Sequence, residues 1–317
     1  MNNNSGPESS RSGLPYAGVE LGGTKCICTL AYGPGEVVEQ HTVATTVPEE
    51  TLAAIRAILA EWFDGPGFRA LGVASFGPIC LDAGSASYGR VLDTPKPGWA
   101  GADVLTALAG DFGVPCGFDT DVNAAALAEI AWGSGQGLAD FAYVTVGTGV
   151  GVGLIVNGQP AHGLLHGELG HMLVRRFPGD EFAGACPFHR DCVEGLASGS
   201  AIKERVGADH IATITPDHPV WNPVVDALAG LVHNMVCATG PRRIAFGGGV
   251  MERQPHLIAR IEARLRESLA GYITLPERSD YIVSPMLGGQ AGPLGAIRLA
   301  MAAEGVPSGP AGRVAAA

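Results

Sequence analysis

Short apolar runs rich in β-branched residues alternate along the chain with alanine- and leucine-rich stretches of helical spacing. That alternation is the pattern of an α/β protein. Residues 51–63 (TLAAIRAILAEWF) repeat their apolar positions at helical intervals, and 69–76 (RALGVASF) read as a buried strand ended by Gly77-Pro78. Helices are expected over 122–132 and 224–239, with a strand over 243–246 that runs into Gly247-Gly248-Gly249. One internal echo stands out. Residues 18–30 (GVELGGTKCICTL) read as strand, glycine turn, strand, and 143–156 (YVTVGTGVGVGLIV) repeat that order. A hairpin opening each half predicts a duplicated two-domain α/β architecture. The expected division is an N-terminal domain over 16–125 and a C-terminal domain over 126–303. Residues 1–15 and 304–317, polar or turn-rich, are expected to be disordered tails.

Composition narrows the class. Of 317 residues, 46% are hydrophobic and 16% charged, which suits a packed globular protein and not a disordered one. The net charge of −11, without a lysine-rich run, argues against a nucleic-acid groove. No window reaches the roughly 20 apolar residues of a membrane span, and the first residues lack the apolar core of a signal peptide. Seven cysteines in a chain long enough to need no staples point to reduced thiols or a metal site, hence to the cytoplasm. Only three lysines are present, so their positions carry information.

Three glycine turns are candidates for phosphate binding, because a backbone without Cβ atoms lets its N–H groups approach an anion closely. They are Gly22-Gly23-Thr24-Lys25, Gly147-Thr148-Gly149 and Gly247-Gly248-Gly249. Neither the Walker loop nor the dinucleotide fingerprint fits them, since strands follow the first two. One such turn alone is most often an ordinary hairpin turn. Two matching hairpins, one of them carrying a lysine, favour a phosphate held between two domains. Residues 118–126 (FDTDVNAAA) run from a strand end into a helix. An N-cap accounts for one aspartate there, not for the Asp-x-Asp-x-Asn group. The second carboxylate, Asp121, is therefore a candidate base for a substrate hydroxyl.

Cys186, His189 and Cys192 recur at three-residue intervals, and His171 lies 15 residues before the first of them. Together they form a Cys2His2 set suited to tetrahedral zinc in a structural role, over a loop at 171–192. His162 and His166 are a rival pair, but Gly163 and Gly167 argue against a helix presenting them together. The other cysteines, Cys26, Cys28, Cys80, Cys116 and Cys237, are expected in the core.

With these residues in view, the chain resembles the ROK family of sugar kinases, within the actin and hexokinase-like (ribonuclease H-like) fold, and in particular its bacterial fructokinase branch. The resemblance runs from about residue 16 to 302. It is carried by 20–25 (ELGGTK), 94–99 (TPKPGW), 119–124 (DTDVNA), 167–171 (GELGH), 186–189 (CPFH) and 192–199 (CVEGLASG). It implies a nucleotide cleft between two domains and transfer of a phosphoryl group from ATP to a hexose, fructose at its 6-hydroxyl before others, with Asp121 as general base. Glu168, His171 and Glu194 would bind the sugar, and His171, Cys186, His189 and Cys192 would hold Zn2+. Gly22, Gly23, Thr24, Lys25, Gly147, Thr148 and Gly149 would face the ATP phosphates, and Gly248 and Gly249 the adenosine. Mg2+ would bridge the phosphates with Glu20 nearby, and a homodimer would be the assembly. Gly167 departs from the branch, which has a proline before the glutamate, and this leaves the preferred hexose open. Three rival readings are a kinase for mannose, glucose or an N-acyl hexosamine, a non-catalytic sugar sensor, and a ROK repressor. The repressor would need a DNA-binding segment ahead of the first hairpin.

Overall fold

A computed structural model describes residues 13–207, 211–276 and 280–305. In chain order the elements are β1 (Tyr16–Leu21), β2 (Lys25–Ala31), β3 (Val37–Ala44), α1 (Pro48–Asp64), β4 (Leu71–Ser75), α2 (Val104–Ala109), β5 (Cys116–Thr120) and α3 (Asp121–Trp132). Then come β6 (Phe141–Val146), β7 (Val150–Val156), β8 (Gln159–Pro160), α4 (Val193–Ala197), α5 (Gly199–Val206) and α6 (Trp221–Ala238). The chain finishes with β9 (Arg243–Gly247), α7 (Gly249–Arg253), α8 (His256–Leu269), β10 (Ile282–Val283) and α9 (Ala291–Glu304).

Two units result. The first holds the described residues up to Ala128, together with His162–His166 and those from Gln290 onward; the second holds Glu129–Ala161 and Gly167–Gly289. In the first, the sheet order is β3-β2-β1-β4-β5. Its three leading strands are antiparallel, and β1, β4 and β5 are parallel. In the second, the order is β10-β9-β6-β7-β8, which read from β8 is the same arrangement with the same strand directions. The repeat seen in the sequence is thus a repeat of sheet topology.

Each unit has its own core. On α1, Ile55, Leu59 and Trp62 fall at i, i+4 and i+7 and are buried with Phe68, Trp99 and Phe118. Burying each such side chain is worth about 1.5–3 kcal/mol. In the second unit Trp221, Leu228 and Leu231 of α6 pack with Phe246 of β9 and Leu265 of α8.

The observed break after Ala128 lies three residues past the expected one, but two pieces of the expected C-terminal domain, His162–His166 and the residues from Gln290, belong to the first unit. The second unit begins within α3, and α9 returns to the first sheet. The reason for that return is a row of glycines. Gly18 of β1, Gly72 of β4 and Gly117 of β5 are register partners across three strands. A Cβ on Gly72 would lie 1.9 Å from the carbonyl oxygen of Ala296, and one on Gly117 would lie 2.4 Å from that of Leu299. The bare strip lets the α9 backbone lie directly on the sheet. Glu304, placed by sequence in a tail, closes α9 and accepts a 2.6 Å hydrogen bond from the Tyr16 hydroxyl. The rest of the expected C-terminal tail from 306, and residues 1–12 of the N-terminal one, lie outside the described residues. Cys237 is exposed on α6, not in the core, because Met235 and Val236 take the buried face there.

Candidate active site

Two candidate carboxyls, Asp121 and Glu20, sit in the first unit. Asp121 opens α3 immediately after β5, and its Oδ1 accepts a 2.9 Å hydrogen bond from the Val122 amide. Burial pushes its carboxyl up to about 7, and the neighbouring Glu20 carboxylate adds to the rise. Glu20, near the end of β1, is also pushed up to about 7 by burial, with Lys25 opposing. Gly292 makes room for it, since a Cβ there would lie 2.0 Å from Glu20 Oε1. Two carboxyls of this kind near neutrality, in one unit, match a general base poised at the operating pH.

The Gly22–Lys25 turn joins β1 to β2 and closes on itself through Gly22 N–H to the Lys25 carbonyl at 3.2 Å. The Thr45 hydroxyl donates to the Gly22 carbonyl at 2.7 Å, and Lys96 Nζ donates to the Gly23 carbonyl at 2.5 Å. Lys96 belongs to the 94–99 segment, anchored by Trp99 Nε1–H donating to the Thr46 carbonyl at 2.8 Å. Two of the three lysines therefore serve one glycine turn. The sequence pointed only to Lys25, although the scarcity of lysine was a signal for Lys96 as well.

In the second unit the corresponding turn, Gly147-Thr148-Gly149, joins β6 to β7 and is braced from the start of α5. Gly199 N–H donates to the Gly147 carbonyl at 2.7 Å, and the Ser200 hydroxyl donates to the Thr148 carbonyl at 2.9 Å. A cavity of about 560 Å³ opens beside it, lined among others by Thr148, Ser200, Lys203, Gly249 and Arg253. That volume suits a small organic ligand, and two cations give it a preference for an anionic one. Lys203, Ser200 and Arg253 were missed in sequence; Lys203 is the third lysine. Gly248 does not line the cavity. Its φ of 87° turns it against β6, where a Cβ would lie 2.6 Å from both Thr145 Oγ1 and the Val146 carbonyl oxygen.

The four proposed metal ligands converge. The ligating atoms of His171, Cys186, His189 and Cys192 lie within 4.8 Å of one another. Cys186 Sγ is 3.7 Å from His171 Nδ1 and 3.8 Å from His189 Nδ1, and Cys192 Sγ is 3.6 Å from His171 Nδ1. Tetrahedral zinc at about 2.3 Å from sulfur and about 2.0 Å from nitrogen puts its ligand atoms about 3.3–3.8 Å apart, so the set fits. The His189 and Gly195 amides each donate to a cysteine sulfur at 3.5 Å. The knuckle is tight: Arg190 has a φ of 58°, and a Cβ on Gly195 would lie 1.7 Å from the Arg190 carbonyl oxygen.

These ligands sit beside the proposed sugar-binding residues. Cys192 caps α4, which carries Glu194, and His171 ends the short turn that follows Glu168. Glu194 Oε2 accepts the Val150 amide at 3.1 Å, and Gly149 leaves it space, since a Cβ there would lie 2.4 Å from that oxygen. Glu168 is exposed. His162 and His166 are not a metal pair. They face each other across a tight turn within the first unit, where His166 Nε2 accepts the Ile79 amide at 3.0 Å.

Comparison with known proteins identifies the family. The model of the ROK family matches residues 16–303. The chain is 40% identical over 295 residues to a fructokinase of Zymomonas mobilis, covering 91% of this chain and 97% of that one. It is 39% identical over 285 residues to a fructokinase of Pediococcus pentosaceus, covering 90% and 97%. Among solved structures it resembles a ROK family glucokinase from Streptomyces griseus in complex with glucose and AMPPNP, with a TM-score of 0.70 and 25% identity over 91% of this chain and 99% of that one.

Proposed function

The chain belongs to the ROK family, and we propose that it is an ATP-dependent hexose kinase that converts D-fructose to fructose 6-phosphate with Asp121 as general base. The observation that carries the chemistry is Asp121 itself: a carboxyl at a strand-to-helix junction, raised to about 7, in the unit that also holds the Gly22–Lys25 turn. The substrate assignment is supported by the fructokinases that match over most of their length.

In this reading Glu168, His171 and Glu194 orient the sugar through its hydroxyls. Asp121 takes the proton from the 6-hydroxyl as that oxygen forms its bond to the γ-phosphorus. The bond from that phosphorus to the β,γ-bridging oxygen breaks, and ADP leaves with the electron pair. Gly22, Gly23, Thr24 and Lys25 and the Gly147–Gly149 turn offer N–H groups and charge to the phosphates, with Lys96 and Lys203 as further cations. Gly249, with the Arg253 side chain, serves the nucleoside. Magnesium bound with ATP would supply neutralisation of the phosphate charge. His171, Cys186, His189 and Cys192 would hold zinc, which would supply structural order to the loop bearing Glu168, His171 and Glu194. No helix among the described residues is long and apolar enough to cross a membrane. The proposed setting is the reducing cytoplasm, where thiols such as Cys186 and Cys192 stay available to a metal. The assembly proposed is a homodimer.

A second reading, a kinase for glucose, mannose or an N-acyl hexosamine, is favoured by one observation. Gly167 precedes Glu168 with no ring to restrain the loop. The deciding experiment is ADP-coupled turnover with magnesium against fructose, mannose, glucose and N-acetylmannosamine, with zinc measured on the same sample. Fructose is expected to lead, at about one zinc per chain. A lead by another hexose would move the substrate assignment, no turnover with any sugar would overturn the kinase, and an active zinc-free sample would overturn the metal.

A further inference from the structure

Two residues before the proposed base lies a carboxylate that the phosphoryl-transfer scheme leaves unused. Asp119, near the end of β5, is fully buried. Its Oδ1 accepts hydrogen bonds from the Thr120 amide at 2.7 Å and from Asn123 Nδ2 at 2.8 Å. Oδ2 has no well-aligned donor; what faces it is His162 Nε2, at 3.3 Å. Asn123 Nδ2 is also 3.3 Å from that ring nitrogen, so two arrangements compete. Either Nε2 carries a hydrogen and offers it to Asp119, or it accepts from Asn123 and leaves the buried Oδ2 without a donor. The second costs more, because a buried polar atom left without a partner loses its hydration and gains nothing in return. The imidazole therefore keeps a hydrogen on Nε2.

The consequence reaches Asp121 through short connections. Asp119 bonds Thr120 and Asn123, the Thr120 hydroxyl accepts the Asn123 amide at 3.2 Å, and Asp121 lies between them on the same turn. His162 comes from a segment 39 residues beyond Asn123 in sequence, yet belongs to the same unit. Its tight turn is held a second time where His166 accepts the Ile79 amide.

We infer that His162 is a positioning residue for phosphoryl transfer, which by donating its Nε2 hydrogen to Asp119 holds the strand-to-helix turn in the geometry that aims Asp121 at the substrate hydroxyl. The inference rests on the kinase reading of this site. The groups that bear on the pair are Asn123, which also faces His162 Nε2, and Tyr88, whose phenol is raised by burial and feels Cys116, Asp119 and Cys80.

The test compares wild type, His162→Ala, His162→Gln, Asp119→Asn and the double variant His162→Ala/Asp119→Asn. Each is assayed for kcat and KM with fructose and ATP. The histidine rings are also followed through a pH titration by NMR, which needs no turnover. Expected are a fall in kcat of about 10–100-fold for His162→Ala with the KM for ATP unchanged, and recovery to within about threefold in His162→Gln, whose amide N–H can still reach Asp119. In the Asp119→Asn background, removing His162 should cost much less, because a carboxyl that needs the imidazole N–H is no longer there. The His162 ring should titrate above the usual histidine range in wild type and return toward it in Asp119→Asn. Equal kcat in wild type and His162→Ala, or an unshifted His162 ring, would overturn the inference. So would full additivity of the two substitutions. An inactive wild type whose His162 ring is still raised would instead overturn the kinase reading and leave the pair standing. If His162→Ala does not fold, the Gln variant and the ring titration decide.

Discussion

The two glycine turns occupy equivalent places in duplicated sheets, yet they are furnished differently. Gly22–Lys25 joins β1 to β2 in the unit that holds Glu20 and Asp121, two carboxyls raised to about 7, and two lysines attend it. Gly147–Gly149 joins β6 to β7, is braced by the first residues of α5, and borders a cavity with Lys203 and Arg253 in its wall. One topology has thus been specialised twice, once around titratable groups and once around a binding cavity. The lesson is that a strand-turn-strand unit provides only backbone donors. What the turn does is decided by the side chains brought to it from elsewhere: Lys96 from the 94–99 segment in one unit, Lys203 from α5 in the other.

The contrast can be broken most sharply at Asp121. Asp121→Asn keeps the shape and removes the base, so kcat should fall by about 10²–10⁴-fold. Nucleotide affinity, measured by calorimetry with a non-hydrolysable ATP analogue, should stay within about twofold. A variant retaining more than a tenth of the wild-type rate would remove Asp121 as the base. In the other unit, Lys203→Ala should act in the opposite sense. The KM for ATP should rise about tenfold, equivalent to about 1.4 kcal/mol of lost charge-assisted contact, while kcat and the KM for the sugar change little. If Lys203→Ala lowered kcat alone, the division of labour would be wrong.

The smallest expected effect is on stability. Glu20 and Asp121 hold their protons up to about pH 7 in the folded chain, whereas exposed carboxyls lose theirs near pH 4. Between those values the native state binds more protons than the unfolded one, so these groups make stability fall as the pH rises through the window. Melting should therefore occur at a higher temperature at pH 5.5 than at pH 8 on their account. Asp121→Asn, which cannot ionise, should narrow the gap by about 2–4 °C. A gap unchanged in that variant would mean that Asp121 is not raised.

Much of this was legible in the chain. Helical spacing gave α1, α3 and α6 to within a few residues, because their apolar faces pack on a core whichever way the rest folds. The hairpin echo gave the duplication, and the cysteine and histidine spacing gave a set whose atoms do converge. Local chemistry writes such features into adjacent residues.

What adjacency cannot express was left to tertiary structure. The return of α9 depends on three glycines on three separate strands lining up in register, a coincidence invisible until the strands pair. Lys96 reaches a turn more than 70 residues earlier in the chain, and Arg253 joins the wall of a cavity whose other residues begin at Gly147. His162, set aside in sequence because its glycine neighbours forbid a helical pair, has its partner in Asp119, reached only through the fold. The sequence by itself determined which elements form and which side chains can do chemistry, since those follow from spacing and residue type. Tertiary structure alone decided which of those side chains meet, because burial forces distant polar groups to find one another or go unpaired.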